Sequence, residues 1–316
     1  MKVITHQDIV DLNIAPHTCY EWVSQMIANK HEALLPAKIS MKLDLGTFCN
    51  VMPSVVTAPD GVKYGGVKMV TRYPNRIPTL DSKLILFDAS NGDIKAIMDA
   101  DWITAMRTGA VAVHSLNLFA KKNYKTIGII GLGNTARATL SVLSDVNDNS
   151  YNVKLYKYKG QENSFVDRFK QCNKFKFNFC DTYQQVVEGS DVVFSAATYL
   201  PDDLGEDSAY KEGILIIPIH TLGFTNCDLF FDKIYADDIG HVKHFKYFDK
   251  FKYFSEVSDV VNGKSVGREN DRERIMVYNI GVAMHDVYFA ANIYSMLRNK
   301  NCQDITLNSP IEKFWI

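Results

Sequence analysis

No stretch of this chain approaches the ~18 consecutive apolar residues that a membrane-crossing helix needs, so no such span is expected. The six cysteines (Cys19, Cys49, Cys172, Cys180, Cys227, Cys302) form no CxxC pair. Scattered in this way they read as reduced thiols rather than a disulfide framework or a zinc site. An excess of one charge is also missing. Lys plus Arg number 35 against 36 Asp plus Glu, a formal net charge of −1, which leaves no global field to draw nucleic acid or an anionic membrane. The opening MKVITHQDIVDL places acids and polar residues where a secretory signal needs an apolar core, so a cytoplasmic location is expected. There is no internal repeat and no low-complexity linker. What remains is globular material, 47% hydrophobic over 316 residues, too long for one simple core and enough for two.

Thr5 with Asp8 three residues on has the form of a capping box, and helical spacing continues through CYEWVSQMIANKHEALL. Between Ile39 and Leu86 short alternating runs broken by Gly and Pro predict an antiparallel or mixed sheet. Asn91-Gly92 predicts a hairpin turn, and a long helix is expected from Asp101 to about Lys122. Then the rhythm changes. KTIGII, YNVKLYKY, DVVFSAA, ILIIPI and KIYADD are five β-rich runs with helical segments between several of them, the pattern of a parallel sheet. A last helix is expected from about Val282 to Arg298. The fold class inferred is α/β: a Rossmann-type, doubly wound nucleotide domain (118–281) inserted into a mixed-sheet α+β domain built from both chain ends (1–117 and 282–316).

GIIGLGNTARATL carries Gly131, Gly133 and Ala136 as GxGxxA between a strand and a helix. The first glycine turns the chain tightly and the second lets backbone approach a pyrophosphate. The small third residue packs helix on strand, and the helix start offers N–H groups. Asn134 and Thr135 open that helix and are assigned to the cofactor with the glycines. The acid that commonly holds a ribose after the second strand is absent from YNVKLYKYKGQEN. Lys157 and Lys159 stand there instead, which favours the 2′-phosphate of NADP(H) over NAD(H).

Arg107 sits among small and apolar residues in DWITAMRTGA. A guanidinium cannot shed its charge, so burial would oblige it to find an anion, either an internal carboxylate or a ligand. Lys38 in LLPAKIS and Lys68 in the strand-like YGGVKMVTRYPN raise the same alternatives. Converging, the three form a carboxylate seat; apart, each needs its own Asp or Glu.

GGVKMVTRYPNR, LILFDASNGDIKAIMDADWITAMRTGAVAVHSLNLFAKK, KTIGIIGLGNTARA and GREN…ERIMVYNIGVAMHDVYFA resemble, in order along nearly the whole chain, the ornithine cyclodeaminase and mu-crystallin family. The resemblance implies a two-domain fold that dimerises through the non-nucleotide domain. It also implies a nicotinamide cofactor at the sheet's carboxyl edge, facing a small amino or imino acid. Lys68 and Arg107 fall on the family's carboxylate-binding positions; Lys38 falls where an arginine is common. Thr135 replaces a frequent glutamine. Ser195 and Thr198 lie where the family's chain passes the nicotinamide, Asn279 and Gly281 in its last cofactor-contacting turn, and Thr108 is assigned to the cofactor beside Arg107. The expected anion at Arg107 is thus a substrate carboxylate.

The cyclodeaminases carry an aspartate just after the strand matching ILIIPI, where this chain has IPIHTLGFTNCDL and aligns His220; Asp228 comes eight positions later. A histidine can give a proton to an imine or take one from an ammonium, but supplies no permanent charge to hold a diamine. Lys68 and His220 are therefore the expected catalytic pair. The expected reaction is hydride transfer at a carbon–nitrogen bond, by a ketimine reductase or amino acid dehydrogenase. The alternatives are a true cyclodeaminase and a non-catalytic NADPH-binding protein. Neither nucleic acid nor a membrane is an expected partner, and no metal is assigned, since His241 and His244 have no evident third ligand. HVKHFKYFDKFKYF (241–254) is expected to be a helix with its aromatic residues facing the core. His114 reads as a packing histidine, and Met276 and Met284 as core filler.

Overall fold

The structure is a computed structural model that describes the chain except for residues 45, 198, 199, 201–203, 205, 221–223, 301, 308–311, 315 and 316. The chain begins with β1 (Lys2–Ile4), α1 (His6–Val10) and α2 (Pro16–Ala28). Strands β2 (Ile39–Asp44), β3 (Thr47–Thr57), β4 (Lys63–Arg72), β5 (Leu80–Asp88) and β6 (Ile94–Asp99) follow, then α3 (Asp101–Phe119). Next come β7 (Thr126–Ile130), α4 (Asn134–Val146), β8 (Tyr151–Tyr156), α5 (Gln161–Arg168), β9 (Phe175–Cys180) and α6 (Tyr183–Val187). After β10 (Val192–Ser195), β11 (Leu215–Pro218) and β12 (Lys233–Ala236) come α7 (Ile239–Val242), β13 (Phe254–Glu256) and α8 (Val257–Val261). The chain closes with β14 (Ile275–Tyr278), α9 (Ala283–Leu297) and β15 (Gln303–Asp304).

Two sheets result. A seven-stranded mixed sheet runs β15-β1-β6-β5-β4-β3-β2, and an eight-stranded parallel sheet runs β13-β12-β14-β11-β10-β7-β8-β9. The first draws its strands from both chain ends, the second only from 126–278. Local chemistry explains several elements. Thr5 and Asp8 exchange side-chain and backbone hydrogen bonds at the start of α1, and Gly92 takes φ +81° in the β5–β6 turn. One apolar cluster, including Leu84, Met98, Ile129 and Val277, runs through both layers.

α3 lies where the layers meet, packing on α2, α4 and α9. Gly109 makes its crossing with α4 possible, because a Cβ there would lie 2.6 Å from the Ala138 carbonyl carbon and the Thr139 nitrogen. On β4, a Cβ at Gly66 would come within 2.9 Å of Val287, so α9 can settle directly on this strand. These two contacts bring α3, α9 and β4 together around one buried spot.

The aromatic stretch 241–254 is not the expected helix. It holds only the end of α7, a short 3₁₀ turn at Phe248–Lys250, and the start of β13. Phe248 packs on Phe251 and Phe254 at centroid distances of 5.3 and 5.0 Å, and ring packing without helix satisfies the same spacing. Strands β9, β13 and β14 extend the parallel sheet beyond the five runs seen in the sequence.

Candidate functional site

Parallel strands deliver their functional loops to the carboxyl edge of the sheet. Read along that edge, β12 and β14 end at Asp237 and at Asn279–Gly281, β11 at His220, β10 at Ser195, β7 at Gly131, and β8 at the Lys157–Gly160 loop. Gly131 adopts φ +88°, and a Cβ there would lie 2.6 Å from the Ala196 carbonyl carbon and the Ala197 nitrogen. The turn therefore presses against the neighbouring strand end at the point where strand order reverses. A Cβ at Gly133 would meet nothing within 4 Å, and α4 starts there without a side-chain cap. Open space in front of uncapped N–H groups fits a pyrophosphate. A cleft of about 530 Å³ opens at this turn, with Tyr156, Tyr158, Lys159 and Tyr183 on one wall and Arg72 and Thr79 on the other. A dinucleotide fits this cradle.

At the β12–β14 end lies a buried cation cluster. Lys68 is fully buried; its Nζ donates to Asp286 Oδ1 at 2.5 Å and to Thr104 Oγ1 at 3.2 Å. Arg107, one helical turn beyond Thr104, donates through Nε to the same Oδ1 at 3.0 Å. Its Nη1 and Nη2 lie against Gly281 and bond no acceptor among the described residues. Lys38 Nζ reaches the Ile280 carbonyl at 3.2 Å, and Asp237 Oδ2 accepts from the Gly281 N–H at 2.6 Å. Lys38, Lys68 and Arg107 thus meet at one turn.

An internal carboxylate, Asp286, is therefore bonded to Arg107, where a substrate carboxylate is the expected anion. No local signal in the sequence marks Asp286, which lies in the VAMHDVYFA segment one turn into α9. Asp286 does not exhaust the positive charge. Below about pH 7, where Lys68 is protonated, two carboxylates face three cations even with Asp286 and Asp237 both ionised. Burial alone pushes the Asp286 carboxyl up, but Arg107 and then Lys68 outweigh it and hold it below the usual range. Asp237 is pushed up by burial. His285 beside them is driven down to about 3, chiefly by burial, and adds no further charge near neutral pH. Burial brings Lys68 down to about 7, with Arg107 and Lys38 pushing the same way and Asp286 opposing. Lys38 is lowered, again chiefly by burial. The arrangement leaves positive charge uncompensated, and the Nη edge of the Arg107 fork has the geometry for a bidentate bond to a carboxylate.

Between this seat and the Gly131 turn, Ser195 Oγ and His220 Nε2 lie 2.6 Å apart. Ser195 is buried and His220 half-buried. Asp228 is turned inward, buried and accepting the Tyr278 hydroxyl at 2.6 Å. Other assigned residues fall elsewhere. Asn279 donates from its side-chain amide to Ser115 Oγ at 3.0 Å inside the protein and does not line the cleft. Thr108 is buried and bonds the Thr104 carbonyl. Lys157 pairs with Asp181 at 2.7 Å, whereas Lys159 lines the cleft. Asn134 is exposed and Thr135 half-buried at the start of α4, with Ala136 buried beneath. Thr198 lies outside the described residues. His114 is buried and pushed by burial down to about 4.

A parallel sheet with a glycine phosphate turn, beside a buried cation cluster under a second sheet, defines a Rossmann-type nucleotide-binding fold with a second domain. The chain belongs to the ornithine cyclodeaminase/mu-crystallin family, whose model matches residues 33–301. Among its relatives, the N-((2S)-2-amino-2-carboxyethyl)-L-glutamate dehydrogenase of Staphylococcus aureus is 27% identical over 77% of this chain and 76% of its own length. The Delta(1)-pyrroline-2-carboxylate reductase of Bacillus cereus is 26% identical over 77% and 80%. An archaeal alanine dehydrogenase dimer with bound NAD shares the fold, with a TM-score of 0.83 at 22% identity over 99% of both chains.

Proposed function

We propose that this chain is a nicotinamide-dependent oxidoreductase that moves hydride between its cofactor and the α-carbon of a small amino or imino acid. The observation that carries the reading is the Arg107 fork, held through Nε by Asp286 with its Nη edge free for a substrate carboxylate. Family relatives whose names describe reduction or oxidation at carbon–nitrogen bonds support it. Lys38, Lys68 and Arg107 hold the carboxylate and fix the α-carbon beside the β10 and β11 strand ends. His220, oriented by Ser195, gives a proton to the imine nitrogen or takes one from the amine. The nicotinamide, when bound, supplies or accepts the hydride. NADP(H) is the proposed cofactor. Lys157 is engaged by Asp181, so that preference rests on Lys159 and on the missing acid after β8. Gly131, Gly133 and the first residues of α4 take the pyrophosphate, in a cytoplasmic protein.

The proposed assembly is a homodimer. Ile39, Met41, Met69 and Ile85 are exposed on the face of the seven-stranded sheet opposite Lys68, an apolar patch suited to a second copy. Sedimentation should give twice the mass of the chain; a monomer at micromolar concentration would exclude this contact.

The activity is tested by loss of reduced-nicotinamide absorbance with NADPH or NADH and pyrroline- or piperideine-2-carboxylate. Oxidation of NADPH ahead of NADH is the expected result. Ammonia release from ornithine without net cofactor turnover would replace the reading with cyclodeamination. In the same assay His220→Ala should lower kcat about 10²- to 10⁴-fold, with little change in KM. An unaltered kcat and pH profile would remove His220 from the mechanism.

A further inference from the structure

Arg72 is the basic side chain on the cleft wall opposite the phosphate turn. β4 alternates its side chains, so Arg72 shares a face with Lys68, four residues away, and extends that face toward the Gly131 turn. It is half-buried. Its Nη1 donates to the Gly46 carbonyl, its Nε is buried without a partner, and it makes no ion pair among the described residues. Two other cations nearby, unlike Lys159, are already engaged. Arg76 bonds the Thr71, Pro78 and Thr79 carbonyls, and Lys157 has Asp181. A permanently charged guanidinium, half out of water and lacking a carboxylate, is stabilised by an anion delivered into the cleft.

We infer that Arg72 is a phosphate ligand of the dinucleotide, contributed by the seven-stranded sheet and reaching across to the glycine turn of the parallel sheet. The inference rests on the reading that this cleft takes a nicotinamide dinucleotide. It adds a contact that neither the GxGxxA turn nor Lys159 supplies, and it makes cofactor binding span both sheets. The phosphate is either the pyrophosphate near Gly133 or a 2′-phosphate near Lys159, the two anions such a ligand can bring here.

The test is direct binding of NADH and NADPH, followed by nicotinamide fluorescence, to the wild-type chain, Arg72→Leu and Arg72→Lys. A charge-assisted bond of this kind predicts a Kd about 10- to 100-fold weaker in Arg72→Leu, partly restored in Arg72→Lys. An equal loss for both cofactors assigns Arg72 to the pyrophosphate, and a loss confined to NADPH assigns it to the 2′-phosphate. The unliganded Tm of Arg72→Leu reports whether the Gly46 contact alone matters. If wild type binds both cofactors and an equally folded Arg72→Leu binds them as tightly, the inference fails while the cofactor reading stands. If wild type binds neither, that underlying reading fails first.

Discussion

Asp286→Asn should unfold at a markedly lower urea concentration, with a loss of about 3–5 kcal/mol, the range seen when one partner of a buried ion pair is removed. The asparagine keeps the shape of the side chain but leaves Lys68 and Arg107 facing each other without the carboxylate oxygen they share at 2.5 and 3.0 Å. Lys68 cannot retreat to solvent, because it is fully buried. Its remaining recourse is to give up its proton, and its pKa should fall from about 7, since Asp286 is the largest influence that raises it. Two readouts should therefore move together: a lower urea midpoint, and a shift to more acid pH of the range over which a small carboxylate binds. A variant with wild-type stability would mean that Asp286 is not the keystone of the cluster.

The second large effect is on pH. Lys68 ordinarily titrates near 10.5, and in the folded chain at about 7. Between those values the unfolded chain holds a proton that the folded chain has released. Stability from this group therefore rises with pH from about 7 to 10.5 and is flat below. Ligand binding runs the other way, because a carboxylate prefers the protonated amine. Above pH 7 the binding of a non-reacting acid such as pyruvate should consume a proton, and its Kd should climb by up to about tenfold per pH unit. Lys68→Met should bind more weakly at pH 6 and lose most of this slope. A slope that persists in the variant would assign the titration to another group. Titration of quenching by pyruvate against bound NADPH, from pH 6 to 9, measures both chains.

The sequence carries the outline of this site because its strongest signals are local. GxGxxA is a rule about one turn, and the structure has the strand, the positive-φ Gly131 and the open Gly133 that the rule requires. The alternation of strands and helices likewise announces a parallel sheet. Asp286 stayed hidden for a physical reason. In a helix buried nearly all round, a lone acid among apolar residues gives no periodic signal, and its partners lie 179 and 218 positions away. Asn279 shows the reverse problem, since its place beside Gly281 suggests a cofactor contact while its side chain turns inward to Ser115. The stretch 241–254 misled because aromatic residues three or four apart satisfy a helix and a ring cluster equally well, and only the surrounding chain decides between them.

The crossing at Gly109 has a consequence for how such a pocket can diversify. Helix α3 carries Arg107 and, two residues on, lies against the backbone of α4, the helix that begins at the glycine turn. One helix–helix contact thus sets how far the Arg107 guanidinium stands from the start of α4. Bulk added at Gly109 would push α3 off the α4 backbone and shift Arg107 relative to the Gly131 turn, whereas the tyrosine-lined end of the cleft lies away from that crossing.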